Sequence, residues 1–119
     1  MMAAAAPRIA IIGAGMSGLC MAMKLRESGI DSFVIYEQAD DVGGTWLENS
    51  YPGCRVDVSN LFYCYSFAQR DDWPQHFSTQ EVLLDYFRGV ADEHGLRPLI
   101  RFGTEVLAME LDEGSMTWT

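Results

Sequence analysis

Residues 8–18 read Arg8-Ile9-Ala10-Ile11-Ile12-Gly13-Ala14-Gly15-Met16-Ser17-Gly18, and residues 32–37 read Ser32-Phe33-Val34-Ile35-Tyr36-Glu37. An apolar, helix-like stretch joins them. Strand, glycine turn, helix, strand and acid in that order form the fingerprint of a dinucleotide-binding βαβ unit, and the fold class it predicts is α/β. Ile9–Ile12 suits a central parallel strand buried on both faces. Gly13 makes the tight turn out of that strand. Gly15 has no Cβ, so a pyrophosphate can approach the backbone, and Gly18 lets the helix lie close to the sheet. A helix starting near Met16 aims free N–H groups and its positive end at the phosphates. Leu19, Ala22, Met23 and Leu25 give it an apolar side, and Gly29 stands where a left-handed residue ends it. Ser32–Tyr36 is the second strand. Glu37 follows it, 19 residues past Gly18, where a carboxylate can accept both hydroxyls of an adenosine ribose. The competing reading is a tight turn without ligand and an ordinary exposed acid.

Composition narrows the class. A chain of 119 residues with 49% hydrophobic and 21% charged positions is about one globular domain with a small core. Its 17 acids against 8 bases give a net charge of −9, which argues against nucleic acid or an anionic membrane as partner. Arg8 precedes 15 uncharged residues, Ile9–Met23. That run is too short to span a bilayer and contains the glycine turn, so buried strand plus buried helix explains it better than a leader. Residues 1–7 read as a frayed, disordered terminus. Cys20, Cys54 and Cys64 show no CxxC spacing, which suggests free thiols and a cytoplasmic location. His76 and His94 lack metal-ligand spacing, and no metal is expected.

Residues 38–77 form a long segment with few regular elements, broken at Gly43-Gly44, Pro52-Gly53 and Trp73-Pro74. Such a segment usually wraps a ligand. Ser78-Thr79-Gln80-Glu81 then reads as a capping box. Leu83, Tyr86, Phe87 and Val90 repeat at helical spacing behind it, and Gly95 stops the helix beside His94. Strands are expected over Pro98–Phe102 and Thr104–Leu111. A turn at Asp112-Glu113-Gly114 leads to a third, over Met116–Thr119. The last strand stops early, so an N-terminal piece of a longer protein is expected.

The long segment carries further motifs: Gly43-Gly44-Thr45-Trp46 after the ribose acid, then Tyr51-Pro52-Gly53-Cys54-Arg55-Val56-Asp57. Tyr63-Cys64-Tyr65-Ser66-Phe67, Trp73, Phe77–Glu81, Tyr86 and Phe102–Val106 follow. From Arg8 onward this pattern resembles the N-terminal FAD half of class B flavin monooxygenases, most closely the Baeyer–Villiger branch. The resemblance implies an incomplete Rossmann-type FAD-binding domain over residues 8–119. The parent enzyme it implies uses FAD and NADPH to insert one oxygen from O₂ into a ketone through a C4a-peroxyflavin, giving an ester or lactone. Its partners are the organic substrate, O₂ and the remainder of its own polypeptide.

Carried onto this sequence, the resemblance places Gly13, Gly15, Ser17 and Gly18 at the pyrophosphate and Glu37 at the ribose. Gly44, Thr45, Trp46 and Tyr63 fall at the flavin, and Val106 on a strand near the adenine. Arg55, Val56 and Asp57 fall where the family meets NADPH, with Asp57 as the candidate catalytic acid. Trp46 and Tyr63 also read as core aromatics, Asp57 as a turn residue and Arg55 as the partner of a nearby acid. Leu47-Glu48 departs from the aromatic-rich sequence usual after the tryptophan. The disulfide reductases share the opening turn, but Trp46 occupies the place of their redox cysteine, and nine residues lie between Cys54 and Cys64. A second GxGxxG, the family's His- and Trp-bearing fingerprint and its peroxide-stabilising arginine are absent, so the chain alone is expected to bind FAD weakly and not turn over. Alternatives are an N- or S-oxygenating monooxygenase, a non-catalytic nucleotide-binding module and a plain NAD-binding domain.

Overall fold

Alternating Ile9 and Ile11 supply the first buried contacts. The computed structural model describes residues 5–119. Strand β1 (Ile9–Ile12) pairs in parallel with β2 (Phe33–Tyr36), Ile9 opposite Phe33 and Ile12 opposite Tyr36. Helix α1 (Met16–Glu27) forms the crossover. Its C-terminus is closed by Ile30 N–H donating to Leu25 O and Gly29 N–H donating to Arg26 O, both at 2.9 Å, the paired bonds of a Schellman ending. The short strand β3 (Ile100–Arg101) adds in parallel on the other side of β2, giving the order β1-β2-β3.

Burial on both faces of β1 is not what the structure shows. Ile11 is buried, but Ile12 is 50% exposed and Ala10 is exposed. Helix α1 covers one face only. The core on that face joins Ile11, Leu19, Ala22, Phe33 and Ile35 through Leu83, Phe87 and Val90 to the long helix α3 (Gln80–Glu93), which follows a one-turn helix α2 (Thr45–Glu48). The residues expected at helical spacing are the ones that pack.

The start of α3 differs from a capping box. Thr79, not Ser78, is the N-cap residue, and no side chain caps the helix. Backbone pairing does that work: Arg55 bridges Thr79 antiparallel, Val56 N–H donates to Ser78 O and Gln80 N–H donates to Cys54 O. Ser78 is thereby drawn into the interior, where its N–H meets Asn60 Oδ1 and its hydroxyl has no partner among the described residues. At the other end His94 is the C-cap residue, and Leu96 N–H donates to Ala91 O.

Beyond α3 a 3₁₀ turn at Arg97–Leu99 precedes β3, so the strand expected from Pro98 is shorter. Pro98 has no N–H to give a ladder, which suits a turn better than a strand. Residues 104–110 form no strand. A hairpin of β4 (Leu111–Asp112) and β5 (Thr117–Trp118) closes the chain, Leu111 opposite Trp118. Every residue from Leu107 to Thr119 is exposed. Of the expected frayed start, residues 1–4 lie outside the described residues, whereas Pro7 O accepts a hydrogen bond from Ser32 Oγ at 2.6 Å. All three cysteines are free, with Cys54 buried. No helix among the described residues is long and apolar enough to cross a membrane, and no group of three or more His, Cys, Asp or Glu could hold a metal ion.

Phe87 is fully buried and meets Tyr65 and Tyr86 edge-on. Phe87→Ala should lower unfolding free energy by about 3–5 kcal/mol, read from urea melts followed by circular dichroism.

Candidate functional site: a glycine turn under a tryptophan loop

Gly13 leaves β1 at a φ of +93°, and its N–H completes the ladder to Tyr36 O at 2.8 Å. A Cβ on Gly18 would stand 1.9 Å from Gly13 O, so the helix backbone lies directly on the turn. Gly15 is the N-cap residue of α1; no side chain caps it and no acid stands in the first turn. The uncapped N–H groups and the helix dipole favour an anion there. Ser17 is exposed on that first turn.

Glu37 is not an ordinary exposed acid. It is 5% exposed, and its two oxygens accept from Ala14 N–H at 2.6 Å and Ala39 N–H at 3.0 Å. A carboxylate has about four lone-pair sites, so accepting capacity remains for ribose hydroxyls. The next peptide of the turn is held as well, because Gly43 N–H donates to Ala14 O at 3.1 Å. Gly44 then faces Gly15 with no side chain between them: a Cβ on Gly44 would lie 3.0 Å from Gly15 Cα. Two bare backbones beside an uncapped helix end and a buried carboxylate suit a dinucleotide's phosphates and ribose.

Directly after these glycines Thr45–Glu48 forms a single helical turn, α2, in the segment expected to be irregular. Thr45 is exposed, and Trp46 is 8% exposed. Trp46 Nε1–H donates to Tyr63 Oη at 3.1 Å, with the rings edge to face and centroids 6.0 Å apart. Gln80 Nε2–H donates to Trp46 O. The tryptophan loop is therefore fastened to both Tyr63 and the start of α3.

Arg55, Val56 and Asp57 belong to the ribbon paired with residues 78–80, a different part of the chain. Val56 is buried. Arg55 is exposed and donates to Gln75 Oε1 at 3.1 Å and Phe77 O at 3.5 Å, not to an acid. Asp57 is exposed. Gln80 links this ribbon to the tryptophan loop. Val106 is half-buried and lies on no strand. It follows Thr104, whose N–H donates to Glu37 O at 2.9 Å, so residues 104–106 leave beside the acid by loop contacts that periodicity does not reveal.

Three supporting residues escape the sequence reading. Tyr65 Oη–H donates to Met16 O in the first turn of α1, and burial pushes the Tyr65 phenol far above its ordinary value. Gln80 holds Trp46. Asp41 accepts from Val42 N–H, Arg88 Nε and Arg97 Nη1. Burial pushes the Asp41 carboxyl up, but the Val42 N–H and the two guanidiniums outweigh it and hold it below the usual carboxylate range. The only available signal was the acid's place just before the glycine pair, since its arginines stand 47 and 56 residues away. A cleft of about 460 Å³ between residues 68–72 and α3 is lined by none of the candidate residues.

The chain belongs to the NAD(P)-binding Rossmann-like domain family, whose profile matches residues 11–80. It is 49% identical over 111 residues to a Baeyer–Villiger monooxygenase of Streptomyces coelicolor, covering 93% of this chain and 21% of that protein. An oxidized steroid monooxygenase bound to NADP superposes with a TM-score of 0.89 at 39% identity, over 94% of this chain and 22% of that one. OTEMO in complex with FAD and NADP gives 0.81 at 34%, over 92% and 21%. The chain spans about a fifth of the length of the relatives it matches.

Two outcomes follow. Gly18→Ala should cost about 3 kcal/mol of stability, because the clash is with backbone; thermal melts check it. Asp41 has an ordinary value of 3.8 that folding lowers. Its contribution is therefore present above that value and lost as pH falls through the lower folded one. Asp41→Asn should narrow the stability gap between about pH 7 and about pH 3, as read by urea unfolding.

Proposed function

We propose that the protein carrying this chain is an FAD- and NADPH-dependent monooxygenase, and that residues 8–119 supply part of its FAD-binding domain. Its reaction converts a ketone, O₂, NADPH and a proton into an ester or lactone, NADP⁺ and water. One observation carries this reading: the Gly43–Trp46 loop is tied to the glycine turn by Gly43 N–H on Ala14 O, while Glu37 accepts from the N–H of the same residue. The similarity to Baeyer–Villiger and FAD-binding monooxygenases supports it.

The flavin supplies the redox chemistry; the protein binds it, orients it and excludes water. In this reading the N–H groups after Gly15, with Ser17 beside them, hold the pyrophosphate. Gly13 and Gly18 give the turn its shape. Glu37 takes the ribose hydroxyls with its remaining lone pairs. Gly44 and Thr45 approach the ring or its ribityl chain, Trp46 shields the ring from water, and Tyr63 fixes the Trp46 edge. Residues around Val106 flank the adenine. Arg55, Val56 and Asp57 form a strip toward NADPH, where Asp57 orients the nicotinamide side.

The whole protein, once purified, should carry a flavin absorption spectrum and oxidise NADPH in step with lactone formation from a cyclic ketone. Sulfoxide from a thioether with no lactone would transfer the reading to N- or S-oxygenation. A protein that takes up no FAD would overturn it. The chain of 119 residues by itself should hold FAD weakly and not turn over. Glu37→Gln, which leaves one acceptor oxygen in place of two, should weaken FAD binding about tenfold, measured by flavin fluorescence titration.

A further inference from the structure

We infer that Asp41 is a positioning residue for the dinucleotide site, holding the Gly43–Gly44 backbone against Ala14 and Gly15 through a clasp with Arg88 and Arg97. The inference rests on the function proposed above and adds a group outside that binding set.

The need for such a group lies in the glycines. Gly43 and Gly44 sit at φ values of +128° and +55°, and paired glycines have many other conformations open to them. Something outside the pair has to select this one. Downstream, Trp46 does so through Tyr63 and Gln80. Upstream, the structure offers Asp41. Its Oδ1 accepts from Val42 N–H at 2.8 Å and Arg97 Nη1 at 2.9 Å, and its Oδ2 accepts from Arg88 Nε at 2.7 Å. Val42, the only residue between Asp41 and the glycines, is fully buried. The anchor thus transmits to Gly43 through a residue with no room to move.

The clasp is built from two directions. Arg88 belongs to α3 and Arg97 to the 3₁₀ turn. Each guanidinium has a second acid: Asp92 Oδ1 lies 2.5 Å from Arg97 Nε, and Asp85 Oδ1 lies 3.6 Å from Arg88 Nη1. The Asp41 side chain is 19% exposed, whereas the two arginines are 39% and 36% exposed. Exposed ion pairs contribute little singly. A sheltered carboxylate that also takes a backbone N–H is different, because its loss leaves the Val42 N–H without its acceptor and parts both arginines from the loop. The arrangement therefore predicts an asymmetry. Either arginine can be lost while the other holds Asp41, but Asp41 has no substitute.

The test is FAD titration of the whole protein below its melting temperature, with visible circular dichroism of the bound flavin. Asp41→Asn should weaken FAD about tenfold and alter the flavin dichroism. Arg88→Ala and Arg97→Ala should each change affinity less than about threefold, and together reproduce the Asp41→Asn effect. Asp41→Glu, which keeps the charge, should recover part of the loss. Arg26→Ala, which removes a bond to His94 O at the far ends of α1 and α3, should lower the melting temperature and leave FAD affinity unchanged. A folded Asp41→Asn protein with wild-type affinity and dichroism would overturn the inference. So would an Arg26→Ala protein that loses FAD equally at equal destabilisation. If Asp41→Asn does not fold, the double arginine variant decides the matter: unchanged FAD affinity there refutes the clasp. A wild-type protein that binds no FAD refutes the proposed function, whereas a wild type that binds and an indifferent clasp refutes this inference alone.

Discussion

One residue of the glycine turn, Ala14, is held at both of its backbone polar groups. The Ala14 N–H is held by the Glu37 carboxylate at 2.6 Å, and the Ala14 carbonyl receives the Gly43 N–H at 3.1 Å. Ala14 is fully buried, so neither polar group has water to fall back on. A hydrogen bond to a charged group contributes about 1.5–3 kcal/mol, and an unmade buried one costs the full desolvation of its partner. The turn, the acid after β2 and the glycine pair thus behave as one unit. Displacing any of them breaks a backbone bond of Ala14.

The long middle segment follows from the same economy of backbone groups. It has little secondary structure, yet many of its backbone groups are paired, within the segment by turns and outside it with residues 78–80 and α3. Residues 54–56 pair with 78–80. Tyr86 Oη accepts from Tyr65 N–H and donates to Ala68 O. Tyr65 stacks on Phe67 at 5.1 Å and reaches back to Met16 O in α1. Aromatic side chains with a polar tip can fill a core and tie down loop backbone together. That explains how a loop with so few ladder bonds still presents Trp46 and Tyr63 in a fixed arrangement.

Legibility in the sequence tracks how local the cause is. The β1–turn–α1–β2 unit was readable because each job belongs to a residue type at short spacing, and the structure adds only the 1.9 Å measure of why Gly18 has no side chain. The apolar stripe of α3 was readable for the same reason. The cap of α3 was not: Ser78 and Glu81 have the right spacing, but pairing with residues more than 20 positions earlier removes Ser78 from the helix end. The strand expected around Val106 failed because alternating apolar residues describe a face without guaranteeing a ladder partner. Burial of β1 on both sides failed because a run of apolar residues does not say what covers them. Asp41 was invisible because its meaning lies in two distant arginines.

The contrast between the glycine turn and residues 104–119 bears on what the site requires. That arm starts from two backbone bonds at its root, Gly103 N–H to Ala39 O and Thr104 N–H to Glu37 O. Beyond them Leu107, Met109, Leu111 and Trp118 are 42–85% exposed. The turn, Glu37, the glycine pair and Trp46 are held instead by α1, β2, Tyr63 and α3. The turn, Glu37, the glycine pair and Trp46 thus take most of their named bonds from outside the arm. The end proposed for phosphate and ribose draws on the turn at residues 13–18 and Glu37, with Gly43 and Gly44 set against them. The end proposed for the ring draws on contacts further along the chain, from Tyr63 and Gln80 to Trp46.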